Sequence, residues 1–168
     1  MTAPVPVPVP LSVIAQPFRP FTVITRLEAD ILELNPETPI ALCVTTSLDL
    51  SYGIEPSFER KFSLESRCPE HMRSLGSVVV ASYPNRAPIY LLFTKNVSQA
   101  WPPVETLRQV FFKLKQALAV KNPPMVVFPP WPQQSGLWDS DPAIVHTIIE
   151  ATFATSPTSV VVAVPKPR

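Results

Sequence analysis

Glycine is scarce: three residues, Gly53, Gly76 and Gly136, in a chain of 168. Any function that depends on a glycine-rich loop therefore has only those three positions to use. Cysteine is scarcer still. Cys43 and Cys68 are too few for a disulfide scaffold or a four-ligand zinc site. Charged residues make up only 16% of the chain, and the formal net charge of +1 supplies no electrostatic footprint for a nucleic-acid partner. No run approaches the roughly 18 consecutive apolar residues of a membrane span. There is no Gly-x-Ser-x-Gly elbow, no Gly-Lys-Thr phosphate loop and no His pair at metal spacing. No metal and no cofactor are expected. His71 and His146 have no acidic or cysteine neighbours at ligand spacing and read as structural or solvated.

Proline is abundant, at 23 residues, and hydrophobic residues reach 46%. The prolines define two zones. In residues 1–20, Pro4, Pro6, Pro8 and Pro10 alternate with valine, and Pro17 and Pro20 follow. Proline fixes φ and cannot donate to a ladder, so this segment favours polyproline II over a strand. It reads as a tail or linker, or as a ligand for a proline-recognising protein through Pro17-Phe18-Arg19-Pro20. It lacks a basic start and an unbroken apolar stretch, so it does not read as a signal peptide. The expected location is cytoplasmic or nuclear, not secreted.

Residues 21–168 alternate between two periods and are long enough to bury one core. Strands are expected at Phe21–Thr25, Pro39–Thr45, Ser77–Ser82, Pro88–Thr94, Met125–Phe128 and Ser159–Val164. Helices are expected at Ile54–Phe62, Arg67–Leu75 and Val104–Val120, with a last one opening at Asp141-Pro142. In Val104–Val120 the apolar residues Val104, Leu107, Val110, Phe111, Leu114, Ala117 and Leu118 recur every three or four positions and form one stripe. Pro129–Gly136 is too proline-rich for regular structure. Buried strands alternating with amphipathic helices imply a three-layer α/β/α fold with a central mixed, largely parallel sheet of about six strands. In such sheets ligands bind outside the carboxyl ends of the strands. That selects the segments after Thr25, Thr45, Thr94 and Phe128.

Those segments hold the candidate chemistry. Asp30 follows the first strand and suits an exocyclic amine, or is a solvated turn acid. Gly53 precedes a helix, where backbone N–H groups would meet a phosphate, or it marks an ordinary turn. Lys95 ends an apolar strand, where partial desolvation would make it a nucleophile; most lysines so placed point into water. Trp131 and Trp138 flank the Gln133–Gly136 turn and either line a nucleotide pocket or cover the end of the core. Cys43 reads as a small buried hydrophobe.

Taken together, four blocks resemble the macro domain family, in particular its terminal ADP-ribose protein glycohydrolase (O-acetyl-ADP-ribose deacetylase) branch. ITRLEADILELNPETPIALC (24–43) looks like the opening strand, adenine site and second strand. CVTTSLDLSYGIEPSFERKF (43–62) is similar to the first phosphate loop and helix. IYLLFTK (89–95) and SGLWDSDPAIVHTIIEATF (135–153) resemble the catalytic-lysine strand and the catalytic-aspartate loop. The resemblance spans about Ile24 to Val164. It implies that Asp30 and the backbone of Ile31 bind adenine, and that Gly53 and Ile54 lie against the diphosphate. It also implies a ligand-binding set that includes Thr45, Gly136, Leu137 and Trp138. Lys95 would attack the anomeric carbon of the distal ribose, breaking its glutamyl or aspartyl ester bond and releasing the side-chain carboxylate, with Asp139 as general base. The implied partner is ADP-ribose or ADP-ribosylated protein, and the implied activity, if present, is that of an ADP-ribosyl-protein glycohydrolase.

The sequence also departs from the family. Ser51-Tyr52-Gly53-Ile54 stands where Gly-x-Gly-Ile is usual, FPPWPQQSG replaces a glycine-rich run, and the usual aspartate aligns with Trp138, one residue before Asp139. Three readings follow: a hydrolase, a non-catalytic ADP-ribose binder, and a degenerate macro fold serving as a protein-interaction module. The divergence would suit a viral copy.

Overall fold

The computed structural model describes residues 24–96, 101–137 and 140–165. The proline-rich segment 1–20, Trp138 and Asp139 lie outside the described residues.

Among the described residues six strands form one sheet: β1 (Ile24–Glu28), β2 (Ile40–Thr45), β3 (Val78–Tyr83), β4 (Arg86–Lys95), β5 (Met125–Phe128) and β6 (Ser159–Val164). Their order is β1-β6-β5-β2-β4-β3, with only the β3–β4 pair antiparallel. The α-helices among the described residues are α1 (Glu55–Phe62), α2 (Val104–Leu118) and α3 (Pro142–Phe153). The sheet is mixed and mostly parallel, as the alternating periods implied.

Strand side chains alternate between faces, so a strand buried on both sides is apolar throughout. In β2, Ala41 and Cys43 join one core with Leu107, Val110, Phe111, Val145, Ile149 and Phe153 of α2 and α3. Ile40, Leu42 and Val44 join the other, with Phe58 and Phe62 of α1 and Leu64 beyond it. Tyr90 and Leu92 of β4 face the first core; Ile89, Leu91 and Phe93 face the second. This alternation makes three layers, with the sheet in the middle.

Local chemistry sets the helix ends. Asp141 caps α3 by accepting the Ala143 N–H at 2.9 Å, and Pro142 fits the first turn. Pro56 occupies the first turn of α1, which closes on Ser63 in the left-handed region (φ 52°). The helix α2 stops at Leu118, two residues before the expected Val120, and Asn122 (φ 47°) donates its N–H back to Leu118 O.

Three expectations change. Arg67–Leu75 is not an α-helix. It forms two 3-10 turns, Glu65–Arg67 and Glu70–Met72, because Pro69 between them has no N–H to continue a ladder. The first strand runs on to Glu28, since parallel pairing with β6 carries it past Thr25. Strand β4 begins at Arg86 rather than Pro88. Pro88 lies where the β3–β4 register slips between Ala81 and Tyr83, at a break that tolerates its missing donor. Pro129–Gly136 is irregular except for one 3-10 turn, Trp131–Gln133.

Candidate functional site

Two segments meet beyond the carboxyl ends of the central strands: the turn leading into α1 and the proline-rich turn after β5. Their contact is direct. Gly53 adopts φ +59°, and a Cβ built on it would lie 2.3 Å from Gln133 O. The next residue, Ile54, donates its N–H to that same carbonyl at 3.4 Å. Glycine is required here twice over, for the left-handed backbone and for the close approach.

The turn after β5 is anchored from below. Gln134 is fully buried. Its Oε1 accepts the Cys43 N–H at 2.7 Å, and its Nε2 donates to Pro129 O at 2.8 Å. Strand β5 pairs with β2 only at Ile40–Val127. The side-chain amide of Gln134 therefore replaces the missing strand neighbour for Cys43. Gly136 continues the substitution by donating its N–H to Cys43 O at 3.0 Å. Thr94 Oγ1 donates to Gly136 O at 2.5 Å. A Cβ on Gly136 would fall 2.4 Å from Thr94 Oγ1 and 2.5 Å from the backbone of Cys43 and Val44. Gly136 and Leu137 thus do not stand open to a ligand. Gly136 is wedged against β2 and β4, and Leu137 is 1% exposed within the core.

Glu55, in the first turn of α1 and not singled out from the sequence, is fully buried at the same junction. Its Oε2 accepts the Ser135 N–H at 2.6 Å; among the described residues its Oε1 has no hydrogen-bond partner, and neither has Ser135 Oγ. Burial pushes the carboxyl up to about 7, against the pull of the Ser135 bonding and the Tyr52 backbone, with Asp49 adding a small upward push. Burial also raises the Cys43 thiol far above its ordinary range, with Glu55 nearby contributing. No sequence signal marked Glu55. A glutamate before proline is an ordinary helix start.

On the far side of Ile54 lies a cavity of about 620 Å³, lined by Asp30, Ile31, Ile54, Pro129, Pro130, Gln133 and their neighbours, Glu28 and Glu33 among them. The structure thus brings Asp30, Ile31 and Ile54 to one concavity. Asp30 is exposed and caps the 3-10 turn Ile31–Glu33, its Oδ1 accepting the Leu32 N–H at 3.0 Å. Ile31 is anchored in the core at 5% exposure.

Lys95 and Thr45 form a separate group. They are register partners across a slip in the β2–β4 ladder, both about 1% exposed. Thr45 Oγ1 lies 3.0 Å from Ser47 Oγ, and Lys95 O accepts the Thr46 N–H at 3.0 Å. Trp131 is half-buried, its ring edge-on to Phe128 at 5.6 Å, so it covers the end of the core. Among the described residues no cluster of His, Cys, Asp and Glu is arranged to hold a metal ion.

No protein-family model matches the chain, and no curated protein matches it. Solved structures do. The macrodomain of Mycobacterium tuberculosis DarG is 18% identical with a TM-score of 0.68, covering 85% of this chain and 98% of that one. A macrodomain protein from Streptomyces coelicolor is 12% identical with a TM-score of 0.69, over 85% and 99%. Thermosipho africanus DarTG, solved in complex with ADP-ribose, is 12% identical with a TM-score of 0.63, over 86% of this chain and 43% of that one. At these identities the likeness speaks for the fold, and the fold is that of a macrodomain.

Proposed function

We propose that the chain binds ADP-ribose, free or carried on a protein, with the adenosine end in the cavity beside Asp30. The observation that carries this reading is the junction of Asp30, Ile31 and Ile54 around one 620 Å³ concavity at the strand ends, where open α/β sheets take their ligands. One oxygen of Asp30 serves its own turn, which fixes the side chain and leaves Oδ2 to accept from a ring amine. Isothermal titration calorimetry with ADP-ribose tests the reading, with Asp30→Ala as the control. Binding in the parent and a loss of about 1–3 kcal/mol in the variant is the expected result. Equal affinity in both would remove Asp30 from the site.

Hydrolysis is the further step of the same proposal. Lys95 would serve as the nucleophile toward the distal ribose. Its burial at the end of β4 means that a substrate reaches it only after the covering segments part. The resting arrangement therefore favours binding over turnover. Lys95→Ala is expected to bind ADP-ribose and to release none from a modified protein.

The contact between Ile54 and Gln133 favours a second reading, a macro fold kept as a protein-interaction module. Silence toward ADP-ribose up to millimolar concentration would move it to first place.

A further inference from the structure

Anions bind proteins where backbone N–H groups converge without partners, most often at a turn that opens a helix. The turn into α1 and the turn after β5 have the shape of such a seat, yet seven of their N–H groups are engaged. Ile54 N–H goes to Gln133 O and Glu55 N–H to Tyr52 O. Across the cleft, the N–H groups of residues 133 to 137 go in order to Pro130 O, Trp131 O, Glu55 Oε2, Cys43 O and Gln134 O. Pro129, Pro130 and Pro132 have no N–H at all. Two of these acceptors cross between the turns: Gln133 O on Ile54, and the buried carboxyl of Glu55 on Ser135. Each stands where an incoming phosphate oxygen would have to accept.

The adjoining cavity carries the same sign. Glu28, Asp30 and Glu33 line it, and no Lys or Arg does among the described residues. Lys61, tied to the lining through Glu33, already bonds that carboxylate at 3.1 Å and donates to Leu32 O. Among the described residues, a diphosphate laid along this path meets like charge and no cationic lining residue, whereas a neutral ring and sugar meet apolar walls and carboxylate acceptors.

We propose that this cleft recognises the nucleoside alone: its phosphate seat is filled from within by Gln133 O and Glu55 Oε2, and a neutral purine nucleoside binds at least as tightly as ADP-ribose. The inference rests on the reading that adenosine enters beside Asp30, and it narrows the ligand class of that site.

The test is calorimetric titration of the full chain with adenosine, AMP and ADP-ribose, each at low and at high salt. Adenosine is expected to equal or exceed the other two. Raising the salt is expected to tighten ADP-ribose several-fold by screening the carboxylates, and to leave adenosine unchanged. ADP-ribose binding 10-fold or more tighter than adenosine would overturn this inference while sparing the proposed function. Adenosine binding with no ADP-ribose binding would do the reverse. Silence from all three would overturn both. Glu55→Ala, checked for folding by circular dichroism, frees the Ser135 N–H; it should shift the ADP-ribose to adenosine affinity ratio several-fold toward ADP-ribose. An unchanged ratio in the folded variant would remove Glu55 from the seat.

Discussion

Glu55 Oε2 takes the backbone N–H of Ser135 at 2.6 Å, eighty residues away in sequence, while the other oxygen of the same buried carboxyl has no hydrogen-bond partner among the described residues. One side chain thus ties the turn before α1 to the turn after β5. Its remaining oxygen is an uncompensated cost whenever the group is charged.

That cost should appear as pH-dependent stability. Glu55 titrates near 7 in the fold against 4.5 for an ordinary glutamate, mainly through burial. Between those values the folded state holds a proton that the unfolded chain has released. The group therefore favours the fold most below pH 4.5, less as the pH climbs toward 7, and by no further change above it. The gap from 4.5 to about 7 corresponds to about 3 kcal/mol as an upper bound. Glu55→Gln keeps an acceptor for Ser135 and cannot ionise. Urea melts from pH 5 to 8 should show a flatter profile for the variant and a higher midpoint at pH 8. Parallel profiles would mean that the carboxyl is solvated.

Gln134 poses the complementary case of a polar side chain fully repaid by its bonds. Gln134→Ala strands the Cys43 N–H and the Pro129 carbonyl inside the protein. At about 1–3 kcal/mol for each of the two orphaned groups, a loss of roughly 2–6 kcal/mol is expected in denaturant unfolding. A loss below about 0.5 kcal/mol would show that water reaches β2 there.

Gly136→Ala should be strongly destabilising. The added methyl would meet backbone at 2.5 Å on β2, which cannot yield as a flexible side chain can. Little soluble folded protein, or a loss of roughly 3 kcal/mol or more, is expected from overpacking at this site. A variant that melts with the parent would contradict the wedge.

Both thiols should be inert in the native state. Cys43 and Cys68 are free and fully buried, and burial raises both above the ordinary thiol range. A thiol reagent at pH 8 should label neither cysteine faster than the protein unfolds, and both at once in denaturant. Rapid labelling of one thiol would show a local opening around it.

The layered fold could be read directly from residues. Strand β2 is apolar at every position from Ile40 to Val44, and Val104 to Leu118 keeps one helical stripe, so each segment declares its own burial. Asp141-Pro142 announced α3 by its capping chemistry. The Arg67–Leu75 segment misled because its polar composition permits a helix and only the chain's path around Pro69 decides for two tight turns. Of the cavity lining, Asp30 was singled out by its place after the first strand, whereas Ile31 and Ile54 entered only through the resemblance. Asp139 and Trp138, beyond the described residues, stay where the sequence left them.

Periodicity and proline placement, which are local properties, therefore determined the strands, the helices and the absence of a glycine-rich phosphate loop. Tertiary structure alone decided that Gln133 O would cover Ile54, that Gln134 would complete the sheet beside Cys43, and that Glu55 would be buried against Ser135. Those pairings join residues 79 to 91 positions apart, and no local pattern encodes them. They arise because β5 ends soon after it meets β2, and the chain that follows must satisfy the backbone groups that strand leaves open.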